Sequence, residues 1–145
     1  MVVDPAIGSI AQAIQLAVAP AFLLTAIGAM LGVMTTRLAR AIDRARLIED
    51  WVEADPRLAG VHRDEVDVLR RRARCIGVSI GLCTLAALLI ATVIAILFLG
   101  DFVSFDTSLA VSLLFIGAMA SLIAALMFFL REVYIASASL RIGPR

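Results

Sequence analysis

The chain has 145 residues, of which 62% are hydrophobic and 17% charged, with a net charge of +1 and a mean hydropathy of +1.02. Soluble domains are about 45–50% apolar and about 25% charged, so this composition excludes a disordered chain, a collagen-like repeat and a disulfide scaffold. It also disfavours a soluble enzyme domain. The apolar residues are gathered in three runs without any charged residue. We therefore expect an all-α fold and a single membrane domain, residues 1–145.

The first charge-free run, residues 6–36, is longer than the roughly 20 residues that an apolar helix needs to cross a bilayer. It lacks the basic residues that open a signal peptide, so we interpret it as a retained transmembrane helix over about 10–36. Pro20 predicts a kink, because it removes a backbone hydrogen bond. Before it, the amides of Gln12 and Gln15 need polar partners. They are expected to bond to other helices, to line an aqueous vestibule, or to reach the headgroups.

An arginine-rich segment, residues 37–75, follows and predicts a helical hairpin built from extensions of helices 1 and 2. Apolar residues on both arms recur at spacings of three and four, which is typical of a coiled-coil seam. Pro56 and Gly60 predict a turn between the arms, with helix 1 ending near Ala54 and helix 2 beginning near Val61. The seam residues are Leu38, Ala41, Ala45, Ile48 and Val52 on the outgoing arm and Val66, Leu69, Ala73 and Ile76 on the returning arm.

Each charge-free run also carries a stripe of small residues on one helical face. Such stripes indicate close helix packing. In a bilayer the hydrophobic effect does not drive helices together, so they associate through close contact, which small residues allow. The pattern does not separate packing within one chain from packing between copies, so a homo-oligomer is one of the expected partners. The stripes are Ala21, Thr25, Gly28, Gly32 and Thr36 in the first run, Gly77, Gly81, Thr84, Ala91 and Ala95 in the second, and Gly117, Ser121 and Ala124 in the third.

The most distinctive local feature is the sequence RLARAIDRAR at residues 37–46, in which Arg37, Arg40 and Arg44 share one helical face. Asp43 continues the small-residue stripe of the first run and is therefore expected to face neighbouring helices. Two interpretations are open. Asp43 accepts hydrogen bonds from an arginine of the returning helix or from Arg131, which would lock the three helices together, or it only tempers the positive charge of the segment.

A second group of arginines lies where helix 2 returns to the membrane. We expect these side chains to contact anionic lipid headgroups, because arginine near an anionic membrane surface is attracted to it. The group comprises Arg70, Arg71, Arg72 and Arg74.

The remaining two runs, residues 76–100 and 107–130, predict transmembrane helices over about 76–99 and 108–130. A short cytoplasmic helix over 131–141 is expected after the third span.

The arginines also predict the topology. Ten of the 13 basic residues lie between the first and second runs and the other three follow the third run, whereas the segment joining the second and third runs holds Asp101, Asp106 and no base. Arginine-rich segments stay in the cytoplasm. We therefore expect the N-terminus outside, and the hairpin and the C-terminus in the cytoplasm.

Residues that carry chemistry are few. We take Asp64 and Asp67 as candidate co-ligands of His62, which are too few for a metal site, and interpret Cys75 and Cys83 as small packing residues. No ionisable group lies inside a run, which argues against a coupled transporter. We expect no catalytic, cofactor-binding or metal-binding residue, and hence no enzyme and no cofactor. We also expect no nucleic-acid partner, because acidic residues balance the arginines.

Three stretches carry a resemblance to a known family: PAFLLT at residues 20–25 with GAMLG at 28–32, RLARAIDRAR at 37–46, and FLREV at 129–133 followed by IA at 135–136. Over essentially its whole length the chain resembles a bacterial family of short three-span membrane proteins known only as a domain of unknown function. The resemblance implies that architecture and a bacterial cytoplasmic (inner) membrane. It implies no activity, substrate or catalytic residue.

Three functions follow as hypotheses. We expect a non-enzymatic membrane protein that self-associates, as a scaffold or accessory subunit. The alternative is an oligomeric passive ion channel, with helix 1 at its axis and Asp101 and Asp106 collecting cations outside. A membrane enzyme is disfavoured by the lack of catalytic residues.

Overall fold

The computed structural model describes residues 5–55, 57, 59–99 and 108–139, and the chain is helical throughout these ranges except at the turn near Asp55. It forms three helices: α1 (Pro5–Ala54), α2 (Ala59–Leu99) and α3 (Ser108–Ser139), with no strand in the described ranges. The predicted all-α fold and the turn after Ala54 are therefore confirmed. The helix predicted over 131–141 is the continuation of α3, and its last two residues lie outside the described residues, as do Asp101 and Asp106.

Each of the three helices is long and apolar enough to cross a membrane. Their most apolar stretches have mean hydropathies of 2.2, 2.9 and 2.6. The 50 residues of α1 extend for about 75 Å, whereas the hydrocarbon core of a bilayer is about 30 Å thick. The helices therefore indicate a multi-pass membrane protein in which α1 continues well beyond the hydrocarbon. α1 passes through Pro20 as one helix, and Pro20 itself is buried.

The chain divides into two units. The apolar unit comprises Met1–Met30 and Cys83–Ile123, and the arginine-rich unit comprises Leu31–Leu82 and Ala124–Arg145. The described residues of the apolar unit include no Asp, Glu, His, Lys or Arg, whereas every arginine that the structure describes lies in the arginine-rich unit. Polar side-chain chemistry is therefore concentrated in the second unit.

The apolar unit is packed through small and β-branched side chains. On α2 its buried residues alternate at spacings of three and four, so that Cys83 and Ile90, and Ala86 and Val93, are seven apart, as in a left-handed helical bundle. A Cβ built on Gly117 of α3 would lie 3.6 Å from Leu89 Cδ1 of α2, so the two helices are in van der Waals contact there. The fully or almost fully buried side chains are Ala13, Ala17 and Ile27 of α1, Cys83, Ala86, Ile90 and Val93 of α2, and Ala118 of α3, with Ser121 beside them.

The arginine-rich unit continues the same spacing. Its central hydrophobic cluster joins Ala41 and Ile48 of α1 to Leu69 of α2, with Ala45, Val52 and Val66 packed against it. These six residues belong to the seam predicted from the sequence, so the helical hairpin and its interface are confirmed. On the α3 side, Ser79 Oγ donates a hydrogen bond to the Ala125 carbonyl at 2.9 Å, and both residues are buried.

The predicted small-residue stripes differ in burial among the three helices. On α3, Gly117, Ser121 and Ala124 are buried or half-buried, as expected for a packed face. On α1 and α2 the stripe residues are exposed, and a Cβ added to Gly28, Gly32, Gly77 or Gly81 would meet nothing within 4 Å. Of the two possibilities that the stripes left open, the structure therefore does not show packing of these glycines inside the chain, because the buried seam runs along a different face of each helix. Packing between copies stays a prediction.

Candidate functional site

The most unusual residue of the arginine-rich unit is Glu132 on α3, whose side chain is 0% exposed. Both of its carboxylate oxygens are hydrogen-bonded to arginines. Arg37 of α1 donates through Nη1 to Oε2 at 2.8 Å. Arg72 of α2 donates through Nε and Nη2 to Oε1 at 3.1 and 2.9 Å. We call these three residues the Glu132 cluster; it joins all three helices through one carboxylate.

The helix register explains why Arg72 and Glu132 meet. Ser79 and Ala125 are hydrogen-bonded, and Arg72 lies seven residues before Ser79 while Glu132 lies seven residues after Ala125. Residues seven apart return to almost the same face of a helix, so two antiparallel helices in contact at one such pair are in contact again at the next. The charged pair therefore occupies the next position on the packed face that Ser79 and Ala125 share.

The electrostatics of the cluster require both arginines. A carboxylate removed from water is costly unless it is paired and its lone pairs are hydrogen-bonded. Here the three N–H donors are charge-assisted, which makes them roughly twice as strong as neutral donors. The arginines are only partly withdrawn from water, with side chains 37% and 23% exposed for Arg37 and Arg72. The cluster carries a formal charge of +1.

Arg37 has a second contact that fixes its position. Its Cζ atom lies 5.4 Å from the ring centroid of Phe129, within the range of a cation–π interaction. Phe129 belongs to the third charge-free run, and Glu132 follows the end of that run. The cluster therefore lies where the apolar part of α3 gives way to its polar end.

A separate polar group lies further along the hairpin. Arg44 Nε donates to Glu65 Oε1 at 2.9 Å, and His62 Nδ1 lies 3.4 Å from Glu65 Oε2. The Arg44 Cζ atom is 5.3 Å from the Trp51 ring, which in turn faces His62 at 6.0 Å between centroids. Burial raises the pKa of Glu65, but the hydrogen bonds from Arg44 and His62 outweigh it and hold that pKa below its ordinary value of 4.5. Both partners of the pair are well exposed, so this is a surface ion pair.

The comparisons with known proteins bear on this architecture. A family model described as "Protein of unknown function (DUF2721)" matches residues 17–142. The chain belongs to this family. Neither the curated proteins nor the solved structures gave a match.

In this DUF2721 protein, only one of the two interpretations of Asp43 fits the structure. Asp43 is exposed and makes no ion pair with any described residue, which fits a residue that only reduces the positive charge of the segment. It lies two residues, or about 200° of helix rotation, from the buried Ala41. Arg40 and Arg131 are likewise exposed and take no part in the ion pairs of the described residues. Of the five predicted ion-pair residues, Arg37 is in the Glu132 cluster and Arg44 in the surface pair.

The arginines predicted to contact lipid headgroups differ in their partners and exposure. Arg72 donates to the buried carboxylate of Glu132 and its side chain is 23% exposed, so its headgroup contact stays a prediction beside this ion pair. Arg70 lies on the surface, 3.6 Å from Asp67 of the same helix. Arg71 and Arg74 are exposed, as a headgroup contact requires.

Glu132 was missed from the sequence, although a signal for it was present. It is seven residues after Ala125 and eleven after Ser121, both of which are buried on α3. An acidic residue at such a spacing, just past an apolar run, continues the packed face of the helix. A buried carboxylate at this position needs a positive partner from another helix. Arg37 and Arg72, from the arginine-rich parts of α1 and α2, are those partners.

The other predicted residues lie outside this cluster. Gln12 and Gln15 are both exposed on α1 in the apolar unit. Cys83 is fully buried and Cys75 half-buried, and both are free thiols. No group of three or more His, Cys, Asp or Glu residues suited to a metal occurs among the described residues.

Proposed function

We propose that this protein is a non-enzymatic membrane protein that associates with copies of itself and serves as a scaffold or accessory subunit. The observation that carries the proposal is the open space at the glycines of α1 and α2. At four glycines the helix surface is bare backbone, and no atom of the chain lies within 4 Å of an added Cβ. They are Gly28, Gly32, Gly77 and Gly81. Helices in membranes associate through such surfaces, because small residues let two backbones approach closely.

Two further features support the proposal. Gly28 and Gly32 are one turn apart on α1, and Gly77 and Gly81 on α2, so each pair forms a shallow strip along one helix. The Glu132 cluster, at the membrane end of the hairpin, has the arrangement of a structural ion pair. The carboxylate of Glu132 is already occupied by three N–H donors, which suits a fixed ion pair and leaves it poorly placed to act as a base.

We place the protein in the bacterial cytoplasmic membrane, with its N-terminus outside and its arginine-rich hairpin and C-terminus in the cytoplasm. The support is the charge distribution, since short segments rich in arginine are retained on the cytoplasmic side. Anionic membrane lipids are the expected contacts of its arginines.

An oligomeric passive ion channel is the second candidate, because Gln12 and Gln15 are exposed on an apolar helix. Exposed amides in a membrane need water or polar partners, and a water-filled path between subunits would supply them. Potassium flux measured in liposomes separates the two functions. Flux that Gln12→Leu and Gln15→Leu abolish would establish the channel, whereas an impermeable oligomer supports the scaffold.

Self-association is tested by enlarging the glycines. We expect wild-type protein to be oligomeric in mild detergent, and the double variant Gly28→Leu, Gly32→Leu or Gly77→Leu, Gly81→Leu to shift towards monomer. No atom lies within 4 Å of a Cβ added at any of these glycines, so the new side chains start in open space, and a melting temperature equal to that of the wild type in detergent verifies folding. The measurement is the mass of the protein by light scattering coupled to size-exclusion chromatography.

The matched control is the double variant Ala19→Leu, Ala26→Leu. Both alanines are exposed on α1, about 180° and 160° around the helix from Gly28. This variant should retain the wild-type mass. A monomeric wild type, or equal masses for the glycine variants and the control, would show that the glycine faces do not mediate association.

A further inference from the structure

A groove of about 640 Å³ lies between α2 and α3 in the arginine-rich unit. It is separate from the Glu132 cluster and from the glycine strips. Its lining includes three arginines and a tyrosine towards one end, with Ile135 beside them, and Val78 and Phe128 at the other end, with no acidic residue. The lining residues that matter are Arg71, Arg74, Arg131, Tyr134, Val78 and Phe128.

The three arginines of the groove are available to a ligand. Arg71, Arg74 and Arg131 are exposed, and none of them lies within ion-pair distance of a described carboxylate. By contrast, their neighbours Arg70 and Arg72 are already paired with carboxylates. The groove therefore concentrates positive charge that the described part of the chain does not neutralise.

The two ends of the groove differ in polarity along the direction of the helices. Val78 and Phe128 belong to the charge-free runs of α2 and α3, whereas the three arginines lie just outside those runs. Tyr134, 75% exposed, adds a phenolic hydroxyl at the polar end. A ligand that fills the groove needs an anionic group beside an apolar chain.

We propose that this groove binds the phosphate of an anionic phospholipid. Arg71, Arg74 and Arg131 donate hydrogen bonds to the phosphate oxygens, for which the planar guanidinium is well suited. An acyl chain then lies against Val78 and Phe128. Inorganic phosphate shares the polar chemistry but makes no use of the apolar end. This site does not depend on self-association, since all of its residues come from one chain.

Cys75 provides a probe inside the groove. It lines the groove and is half-buried, whereas Cys83 is fully buried, so a maleimide reagent should label the protein at Cys75. We expect phosphatidylglycerol added to the purified full-length protein in detergent to slow labelling. Phosphatidylcholine and millimolar inorganic phosphate should leave the labelling rate unchanged. A Cys75→Ala variant verifies the labelled residue.

Two triple variants with the same loss of charge test the arginines. Arg71→Gln, Arg74→Gln, Arg131→Gln should raise the phosphatidylglycerol concentration for half-protection about tenfold or more, since each arginine contributes to anionic-lipid binding. Arg40→Gln, Arg46→Gln, Arg57→Gln removes three exposed arginines outside the groove and should stay close to wild type. Equal melting temperatures in detergent establish that both variants are folded.

The outcomes discriminate between ligands. Equal protection by phosphate and by phosphatidylglycerol would identify a site for a free anion and overturn the lipid assignment. Equal protection by phosphatidylcholine would identify an apolar contact without headgroup recognition. If both triple variants bound phosphatidylglycerol equally weakly, the binding would depend on net charge alone. Each of these three results would contradict the proposal.

Discussion

At the scale of single residues, the buried carboxylate of Glu132 joins the three helices through Arg37 and Arg72. Asp43, for which the sequence left an ion pair of this kind open as one of two interpretations, makes no ion pair with a described residue. The difference follows from burial. Glu132 is on the packed face of α3, whereas Asp43 is on an exposed face of α1. Adjacent residues on a helix are about 100° apart, so Arg131 is exposed next to a fully buried neighbour.

We expect Glu132→Gln to destabilise the protein by about 3 kcal/mol. Breaking a buried ion pair costs about 3–5 kcal/mol, and the lower end applies because both arginines retain some contact with water. Glutamine keeps the shape of the side chain but removes the charge that compensates two guanidinium groups. The measurement is thermal unfolding in detergent at pH 7.

Glu65→Gln is the matched control, since Glu65 is also bonded to an arginine but is well exposed. Its carboxylate is ionised at pH 7, because its pKa lies below 4.5. Loss of such a surface pair costs under about 1 kcal/mol, and the same holds for Asp43→Leu at an exposed position. Shifts of similar size for Glu132→Gln and Glu65→Gln would mean that the buried cluster contributes no more than a surface pair.

At the scale of the elements, the spacing of apolar residues predicts the hairpin correctly. The seam joins Ala41, Ile48 and Leu69 into one cluster, and α1 ends at Ala54 as the turn signals indicate. For the glycine stripes of α1 and α2, spacing left packing within the chain and packing between copies open, and the structure shows these residues exposed on the chain. A stripe of small residues and a buried seam both have helical spacing, but only contact between helices determines which of them packs inside the chain.

We expect Ile48→Ala to destabilise the hairpin by about 2–3 kcal/mol, because truncation of a buried isoleucine removes apolar contacts and leaves a cavity. Leu47→Ala, next to it and 48% exposed, should change stability by no more than about 0.5 kcal/mol. Hydrogen exchange of the amides of residues 41–54 reports the local effect, with faster exchange expected for Ile48→Ala alone. Comparable exchange in the two variants would mean that the hydrophobic cluster around Ile48 does not stabilise the hairpin.

At the scale of the whole molecule, the charged residues that the structure describes are all in the arginine-rich unit. All described arginines belong to the arginine-rich unit, and the described residues of the apolar unit include no Asp, Glu, His, Lys or Arg. Such an asymmetry orients a membrane protein during insertion, since arginines are retained on the cytoplasmic side. The net charge of +1 conceals it, because acidic residues lie among the arginines of the hairpin.

We expect a reporter fused after Arg145 to be active in the cytoplasm. A cysteine introduced at position 106, between the second and third charge-free runs, should react with an impermeant maleimide in intact cells. The two residues are separated by one predicted span, so they must lie on opposite sides. A cysteine introduced at position 50, in the hairpin, is the control and should react only after permeabilisation. Both cysteines are introduced into a Cys75→Ala variant, because the native Cys75 thiol would otherwise also react after permeabilisation. Labelling of position 106 only after permeabilisation would reverse the assigned topology.

The sequence by itself determined three helices, their approximate ends, the hairpin seam and the separation of charge. These follow from periodicity and composition within single segments, because the residues that share a face of one helix are set by its rotation per residue. The tertiary structure decided which acid is buried, which arginines it engages and which glycines face outward. Glu132 is 95 residues from Arg37 and 60 from Arg72, and such pairings depend on the register between helices, which no single segment encodes.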